Sequence, residues 1–213
     1  FFSLEMGRPE LAMRVLSAEG RISMGRLKKG DLDQEGWTNL ATLQGKITGA
    51  PLFIDDSPNM TLMEIRAKCR RLKQRNQLQL VVLDYLQLMS SGKKVESRQQ
   101  EVSEFSRSLK LLAKELEVPV IALSQLNRGS EQRTDKRPMI SDLRESGSIE
   151  QDADMVILLH REDMYNPDSD RVGEADMIIA KHRGGPTKTI PLAFSGKYSR
   201  FNNMASETPP QQY

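Results

Sequence analysis

Three short apolar runs in this sequence each end in a side chain that can act in acid–base or hydrogen-bonding chemistry. Glu5 follows the first run, Asp84 the second, and Gln125 the third, where Ser124 stands beside it. Uniformly apolar runs of about four to eight residues are typical of strands that both faces of a parallel sheet bury. Because the carboxyl ends of such strands lie at one edge of the sheet, we expect these side chains to lie close together.

Asp84 ends the run Leu80–Leu83, and this is the pattern of a Walker B strand. A Mg²⁺ ion bound to a nucleotide prefers hard oxygen ligands, and a carboxylate at a buried strand end supplies one, usually through a water molecule. The same pattern arises where an aspartate only caps the following helix. The pattern by itself therefore leaves both interpretations open.

Glu5 and Gln125 have the chemistry that the hydrolysis of a phosphoanhydride needs around such a metal. A carboxylate can orient and activate the attacking water, and an uncharged amide can bind the γ-phosphate and respond to its loss. The alternatives are a structural glutamate at a strand end and a polar surface residue at the start of a loop. Together with Asp84, the functional interpretation is favoured.

A compact cationic tip is predicted over residues 181–186, Lys-His-Arg-Gly-Gly-Pro. Two cations beside a glycine turn can bind an anion. In a ring of subunits, Arg183 could reach a neighbour's ATP as an arginine finger, because its planar fork stays charged and grips phosphate oxygens. The alternative is a solvated basic hairpin. We do not expect His182 to be a metal ligand.

Residues 142–148, Asp-Leu-Arg-Glu-Ser-Gly-Ser, form a candidate contact for a nucleic-acid backbone. Arg144 and nearby backbone amides would suit a phosphate of single-stranded DNA, and the segment has no aromatic residue on which a base could stack. Contact would then be insensitive to base sequence. The alternative is an ordinary helix start that Ser146 or Ser148 caps.

The elements that must position these residues alternate between strands and helices. The prediction is therefore an α/β fold with a mostly parallel sheet and helices on both faces. Helices are predicted after Pro9, Asp33 and Thr61, each suited to a helix start, and a long amphipathic helix over 101–116. Residues 128–138 are polar and expected to be mobile, and 206–213 are expected to be a disordered tail that follows a single domain over 1–205. Strands are predicted over 1–4, 51–56, 78–83, 118–123, 155–159 and 175–180, with an added antiparallel strand over 187–194.

The composition excludes several classes of protein. The 213 residues include one cysteine, which excludes an intrachain disulfide and fits a reducing cytoplasm, and two histidines, too few for a histidine metal cluster. No apolar run is long enough to span a bilayer. The formal net charge of +2 means that any DNA contact must come from locally placed groups.

Several motifs occur in one order and together resemble a known family. They are Phe-Ser-Leu-Glu-Met at 2–6, Val-Leu-Asp-Tyr-Leu-Gln-Leu at 82–88, Glu-Phe-Ser-Arg-Ser-Leu-Lys at 104–110, Leu-Ser-Gln-Leu-Asn-Arg at 123–128, and the long run 142–154. The chain resembles the C-terminal domain of replicative DNA helicases of the DnaB type, from Phe1 to about Ala205. The resemblance implies a RecA-like P-loop NTPase core.

The resemblance also implies roles for individual residues. It implies ATP and Mg²⁺ as substrate and cofactor, and a homo-hexameric ring that moves 5′ to 3′ on single-stranded DNA, with primase and a helicase loader as partners of the full-length protein. The implied site residues are Glu5 as the catalytic glutamate, Asp84 for Mg²⁺, Gln125 as the γ-phosphate sensor, Arg14 beside the nucleotide, Lys181 and Arg183 acting on a neighbour's ATP, and Arg144, Glu145 and Gly147 on the DNA backbone.

One motif of that family is missing from this sequence. No Gly-x-x-x-x-Gly-Lys-Ser/Thr loop, which cradles phosphates, occurs in the 213 residues. The chain is therefore expected to start inside a domain and to bind ATP poorly by itself. Two alternative functions stay open: a RecA-type recombinase without helicase activity, and a binding module without enzymatic activity, for example for a helicase loader.

Overall fold

The structure is a computed structural model that describes residues 1–90 and 97–204; for residues 76 and 144–146 it describes the backbone alone. The predicted tail over 206–213 lies outside the described residues.

A three-stranded parallel sheet forms the centre of the domain. It consists of β1 (Phe2–Ser3), β2 (Val81–Asp84) and β3 (Val120–Ala122) in the order β1-β2-β3. Ser3 is in register with Asp84, and Leu83 with Ala122. The three strands therefore end together, and the residues that follow them emerge at one edge.

Helices begin where the sequence supplies a capping group. Asp33 accepts a hydrogen bond from the backbone of Gly36, and Thr61 forms a capping box with Glu64, so both predicted helix starts are confirmed. Pro9 lies in the first turn of the first helix, as predicted. The helices are α1 (Arg8–Gly20), α2 (Met24–Lys29), α3 (Gln34–Thr48), α4 (Leu62–Asn76), α5 (Arg98–Leu116) and α6 (Gly147–Asp152).

The main core lies between the parallel sheet and helices α4 and α5. Ile65 of α4 and Phe105 of α5 are almost fully buried against Val81 and Leu83 of β2. The apolar stripe of α5 recurs at helical spacing and faces this core, as its amphipathic pattern predicts. Burial of this stripe fixes β2, and hence Asp84, relative to α5.

A second sheet contains the remaining strands and is entirely antiparallel. A small core of Leu143, Val156 and Leu158 lies beneath it. The strands are β4 (Met155–His160), β5 (Glu174–His182), β6 (Lys188–Ser195) and β7 (Arg200–Asn203), in that order. The predicted parallel sheet is therefore the central one, and the predicted antiparallel strand over 187–194 is β6 of this second sheet. The sequence did not predict that β4 and β5 would also be antiparallel; within the described residues they are joined without the crossover helix that a parallel pair needs.

One local expectation differs from the structure, and a second segment has contacts that its sequence did not indicate. Residues 51–56 are not a buried strand: only Asp55 makes a β-bridge, to Phe2, while Leu52 and Phe53 are 55% and 44% exposed. Residues 128–138 are not only a solvent-facing polar loop, because Arg133 and Arg137 pair with the buried carboxylates of Asp142 and Asp176; their expected mobility stays a prediction. Sequence hydropathy reveals neither the number of strand neighbours nor ion pairs between distant segments.

None of the helices described here is both long enough and apolar enough to cross a bilayer.

Candidate functional site

A cavity of about 270 Å³ lies at the carboxyl ends of the parallel strands. Glu5, Asp84 and Gln125 all line it, together with Tyr85, Leu123 and Ser124. The sequence-based expectation that these three side chains lie together therefore holds in the structure. Their roles stay predictions, since proximity by itself assigns no chemistry.

Asp84 is a half-buried carboxylate with little compensation for its charge. Burial raises its pKa above the usual value, and the positive charge of Arg14 opposes this rise. Arg14 lies on α1 and forms an ion pair with Glu10 at 3.0 Å, with both side chains 47% exposed. Arg14 is therefore close enough to the cavity to act on it electrostatically, but it does not line it.

The cavity has the oxygen chemistry that a magnesium–nucleotide complex requires, although it is not a metal cage. No group of three or more His, Cys, Asp or Glu side chains that could hold a metal occurs in the part of the chain that the structure describes. Mg²⁺ is typically held by one or two carboxylates together with water and phosphate oxygens. Asp84 fits this pattern, because its carboxylate is desolvated and lacks an ion-pair partner of its own among the described contacts.

Neither Lys181 nor Arg183 lines the cavity: Lys181 lies near the end of β5, and Arg183 begins the turn between β5 and β6. Lys181 donates hydrogen bonds to the carbonyls of Glu150 and Gln151 at the end of α6. Arg183 pairs with the carboxylate of Asp154 at 3.1 Å, and its backbone N–H donates to the carbonyl of Asp154 at 2.8 Å. The guanidinium is 60% exposed. These contacts fix the cationic tip to Asp154 and the end of α6, while the side chain of Arg183 remains exposed to solvent.

The turn of the cationic tip requires glycine at position 185, because a side chain there would collide with His182. A Cβ atom there would lie 2.2 Å from Nδ1 of His182, a distance that real Cβ atoms do not show. The imidazole of His182 packs against this turn.

The candidate DNA segment is anchored by a buried ion pair. The Asp142 side chain is 4% exposed, accepts two hydrogen bonds from Arg133 at 2.5 and 3.0 Å, and accepts a third from the backbone N–H of Met139 at 2.7 Å. The Arg133 guanidinium is the main cause that lowers the pKa of Asp142 below its usual value, and burial opposes it.

Around this anchor the chain runs through a 3-10 helix over Ile140–Ser146 into α6. Gly147, the first residue of α6, is exposed, while the side chains of Arg144 and Glu145 lie outside the described residues. Ser148 does not cap α6; its hydroxyl donates to the hydroxyl of Ser103 on α5 at 2.7 Å. The side chain of Ser146 is not described.

We expect Asp142→Asn to lower the free energy of unfolding at pH 7 by about 1–3 kcal/mol, because Arg133 would keep a charge without a counter-charge. A carboxyl group with a depressed folded-state pKa stabilises the protein above its unfolded pKa, and this contribution is lost as the pH falls through the folded value. The difference from the unsubstituted protein should therefore shrink on acidification. Urea unfolding at several pH values between 7 and 3 measures it, with the exposed Asp168→Asn as control. A difference that is constant with pH would contradict the assignment.

Sequence reasoning missed three groups near these sites. Gln87 bonds the segment that carries Gln125, and Asp142 and Asp176 hold arginines through pairs buried in the fold. For Gln87, the only available signal was its place shortly after Asp84 within a motif. No sequence pattern indicated the two aspartates as anchors. Asp142 lies 9 residues from its partner Arg133, and Asp176 lies 39 residues from its partner Arg137.

Comparison with known proteins gives consistent results. The sequence model described as "DnaB-like helicase C terminal domain" matches residues 1–203. The chain is 70% identical over 205 residues to a replicative DNA helicase DnaB of Leifsonia xyli, covering 96% of this chain and 45% of that protein. It is 67% identical over 204 residues to a replicative DNA helicase DnaB of Mycobacterium intracellulare, covering 96% of this chain and 35% of that protein. The chain thus spans less than half the length of these relatives.

Two solved structures share the fold. An ATPase domain superposes with a TM-score of 0.91 at 43% identity, covering 95% of this chain and 73% of that chain. A structure described as a DnaB-like replicative helicase and its interactions with primase gives the same TM-score and identity, covering 95% of this chain and 49% of that chain. These likenesses confirm the predicted α/β fold class of a RecA-like core.

Proposed function

The chain belongs to the family of DnaB-like helicase C-terminal domains, as its motifs indicated. We propose that it is the motor portion of a replicative DNA helicase. In this proposal the domain hydrolyses ATP and couples hydrolysis to 5′ to 3′ movement on single-stranded DNA and to duplex unwinding, as part of a cytoplasmic hexameric ring. The observation that supports it best is the cavity that Glu5, Asp84 and Gln125 line together.

In this proposal each residue at or near the cavity has a different role in ATP hydrolysis. Glu5 orients the attacking water and takes up its proton as the bond to the γ-phosphorus forms. Gln125 donates an amide hydrogen to a γ-phosphate oxygen, and Arg14 adds positive charge on the α1 side. Asp84 would hold Mg²⁺ with its carboxylate, and the ion would supply positive charge that neutralises the phosphates.

The cationic tip acts on the nucleotide of the next subunit. Lys181 and Arg183 lie outside their own chain's cavity, and the guanidinium of Arg183 is open to solvent. A closed ring places such a tip against the neighbouring cavity, where a planar guanidinium stabilises the charge that builds up in the transition state. Hydrolysis in one subunit is thereby sensed by the next.

The DNA contact lies in the segment around Gly147. The loop that carries Arg144, Glu145 and Gly147 holds the backbone of single-stranded DNA in the centre of the ring, with the Arg144 guanidinium and backbone N–H groups as the donors to phosphate, and it does not read bases. The support for this assignment is the resemblance, together with the buried anchor Asp142 that fixes the segment and the exposure of Gly147. For the full-length protein we propose primase and a helicase loader as partners; one structural relative is described with primase.

The test compares two activities of a full-length DnaB-type helicase that carries this domain. We expect ATP-dependent unwinding of a forked duplex with a 5′ single-stranded tail, and no strand exchange between homologous duplexes. Strand exchange without unwinding would favour the recombinase alternative and overturn the proposal.

A second measurement addresses the 213-residue chain by itself. Its ATP turnover should be lower than that of the full-length protein by on the order of 10²-fold or more, because its sequence contains no phosphate-cradling motif. Equal turnover would contradict this expectation. Turnover of neither protein would favour the interpretation as a binding module.

A further inference from the structure

We propose that Gln87 is the positioning residue that fixes Gln125 at the cavity. This inference rests on the proposed role of Gln125 as the residue that contacts the γ-phosphate. Gln87 does not line the cavity itself, so it would act through Gln125 rather than on the substrate.

The geometry follows from where the ladder between β2 and β3 ends. The N–H of Leu123 donates to the carbonyl of Leu83 at 2.9 Å, and the N–H of Leu86 donates to the carbonyl of Leu123 at 2.9 Å. The chain that follows β2 forms a 3-10 helix over Leu86–Leu88. Its backbone therefore does not continue the hydrogen-bond ladder with the segment after β3, where Gln125 lies.

The side chain of Gln87 continues the ladder in place of the backbone. Its Oε1 accepts from the N–H of Gln125 at 3.2 Å, and its Nε2 donates to the carbonyl of Gln125 at 3.2 Å and to the hydroxyl of Ser124 at 2.9 Å. A primary amide carries the donor and acceptor of a peptide group. Because a backbone N–H only donates, the amide has one orientation that satisfies all three contacts. The peptide of Gln125 is thus held on both of its polar groups.

Gln87 is itself held by the helix that covers the core. The guanidinium of Arg98, the first residue of α5, donates to the carbonyl of Gln87 at 2.6 Å and to the carbonyl of Met89 at 3.1 Å. Arg98 also lies 5.9 Å from the ring centroid of Phe105, which is buried. The anchor therefore extends from the core through Gln87 to Gln125.

The consequence is a fixed relation between the carboxylate of Asp84 and the amide of Gln125. Asp84 stands three residues before Gln87, so one short segment carries the proposed metal ligand and the brace for the γ-phosphate contact. Without the brace, the backbone of Gln125 would be free to rotate after β3 ends. A displacement of about 1 Å in a positioned group can cost on the order of 10²-fold in rate.

The experiment uses rings of a full-length DnaB-type helicase with Gln87→Leu, Gln125→Ala and both changes together. We expect Gln87→Leu to lower kcat for ATP by roughly 10- to 100-fold with KM within about threefold, because position rather than binding is lost. If Gln87 acts through Gln125, the double variant should be no slower than Gln125→Ala alone.

The outcomes separate this inference from the proposed function. Additive effects, or a Gln87→Leu ring with unchanged kcat where Gln125→Ala is slow, would overturn the positioning role. Unchanged kcat in Gln125→Ala would instead refute the proposed contact with the γ-phosphate. Gln74→Leu, an exposed glutamine on α4, is the matched control and should behave as the unsubstituted ring.

A conservative variant covers the case in which Gln87→Leu does not fold. Gln87→Glu keeps an acceptor for the N–H of Gln125 but cannot donate to its carbonyl. We expect a kcat between those of Gln87→Leu and the unsubstituted ring, with ring assembly and thermal unfolding preserved. A kcat equal to that of the unsubstituted ring would show that the bond to the carbonyl is dispensable and would overturn the proposal.

Discussion

Rings of a full-length DnaB-type helicase with Arg183→Ala in every subunit are expected to hydrolyse ATP about 10³- to 10⁵-fold more slowly, the range that arginine fingers supply. The side chain is 60% exposed, and its ion pair among the described residues is with Asp154, itself 59% exposed, so it can reach another subunit at little cost. Arg183→Lys should restore little of the rate, because an ammonium group lacks the planar fork that binds phosphate oxygens. Steady-state ATP turnover measures both variants.

Mixed rings decide whether Arg183 acts in its own subunit or in the next. Arg183→Ala subunits retain Glu5, and Glu5→Gln subunits retain Arg183. If Arg183 acts on the neighbour, equal mixing should reactivate about a quarter of the sites, since each needs one subunit of each kind in the right order. If it acts in its own subunit, no site is complete and the mixture stays inactive. Lys188→Ala, an exposed cation on β6, is the control.

The cavity could be predicted from the sequence because its geometry follows from strand direction. Glu5, Asp84 and Gln125 each follow an apolar run, and parallel strands bring the ends of such runs to one edge. Neither the distance along the chain nor the details of packing enter that inference. The same reasoning failed for residues 51–56, where the composition was suitable but only Asp55 has a strand partner.

The groups that hold the site in place could not be predicted in this way. Gln87 meets Gln125 because β2 ends at Asp84 and a 3-10 helix over Leu86–Leu88 follows, which places the Gln87 side chain against the peptide of Gln125. Asp142 meets Arg133 because the chain folds back between a 3-10 turn that ends at Gln132 and another that begins at Ile140. Such contacts depend on where each element ends, to within one residue. Hydrophobic periodicity does not define ends to that precision.

Asp84→Asn and Glu5→Gln are each expected to lower kcat of the full-length ring by about 10²- to 10⁴-fold, and Asp84→Asn should also change the stability of the domain. Burial raises the pKa of Asp84, so the folded state holds its ionised form at a cost. That cost appears as the pH rises through the unfolded pKa and is complete above the folded value. Asp84→Asn removes it, so the free energy of unfolding should rise at pH 7 although activity is lost.

The pH dependence of unfolding shows whether Asp84→Asn stabilises the fold while activity is lost, or whether the substitution simply damages the fold. Below the unfolded pKa, Asp84 is protonated in both states, so the stability gain of Asp84→Asn should disappear in acid. Asp142→Asn has the opposite sign, since it should destabilise the protein at pH 7. Denaturant unfolding of the 213-residue chain with each substitution, from pH 7 to pH 3, tests both. If Asp84→Asn destabilises the chain at pH 7, the Asp84 carboxylate already has a stabilising partner in the folded chain, and it is not the desolvated anion that a bound Mg²⁺ would stabilise.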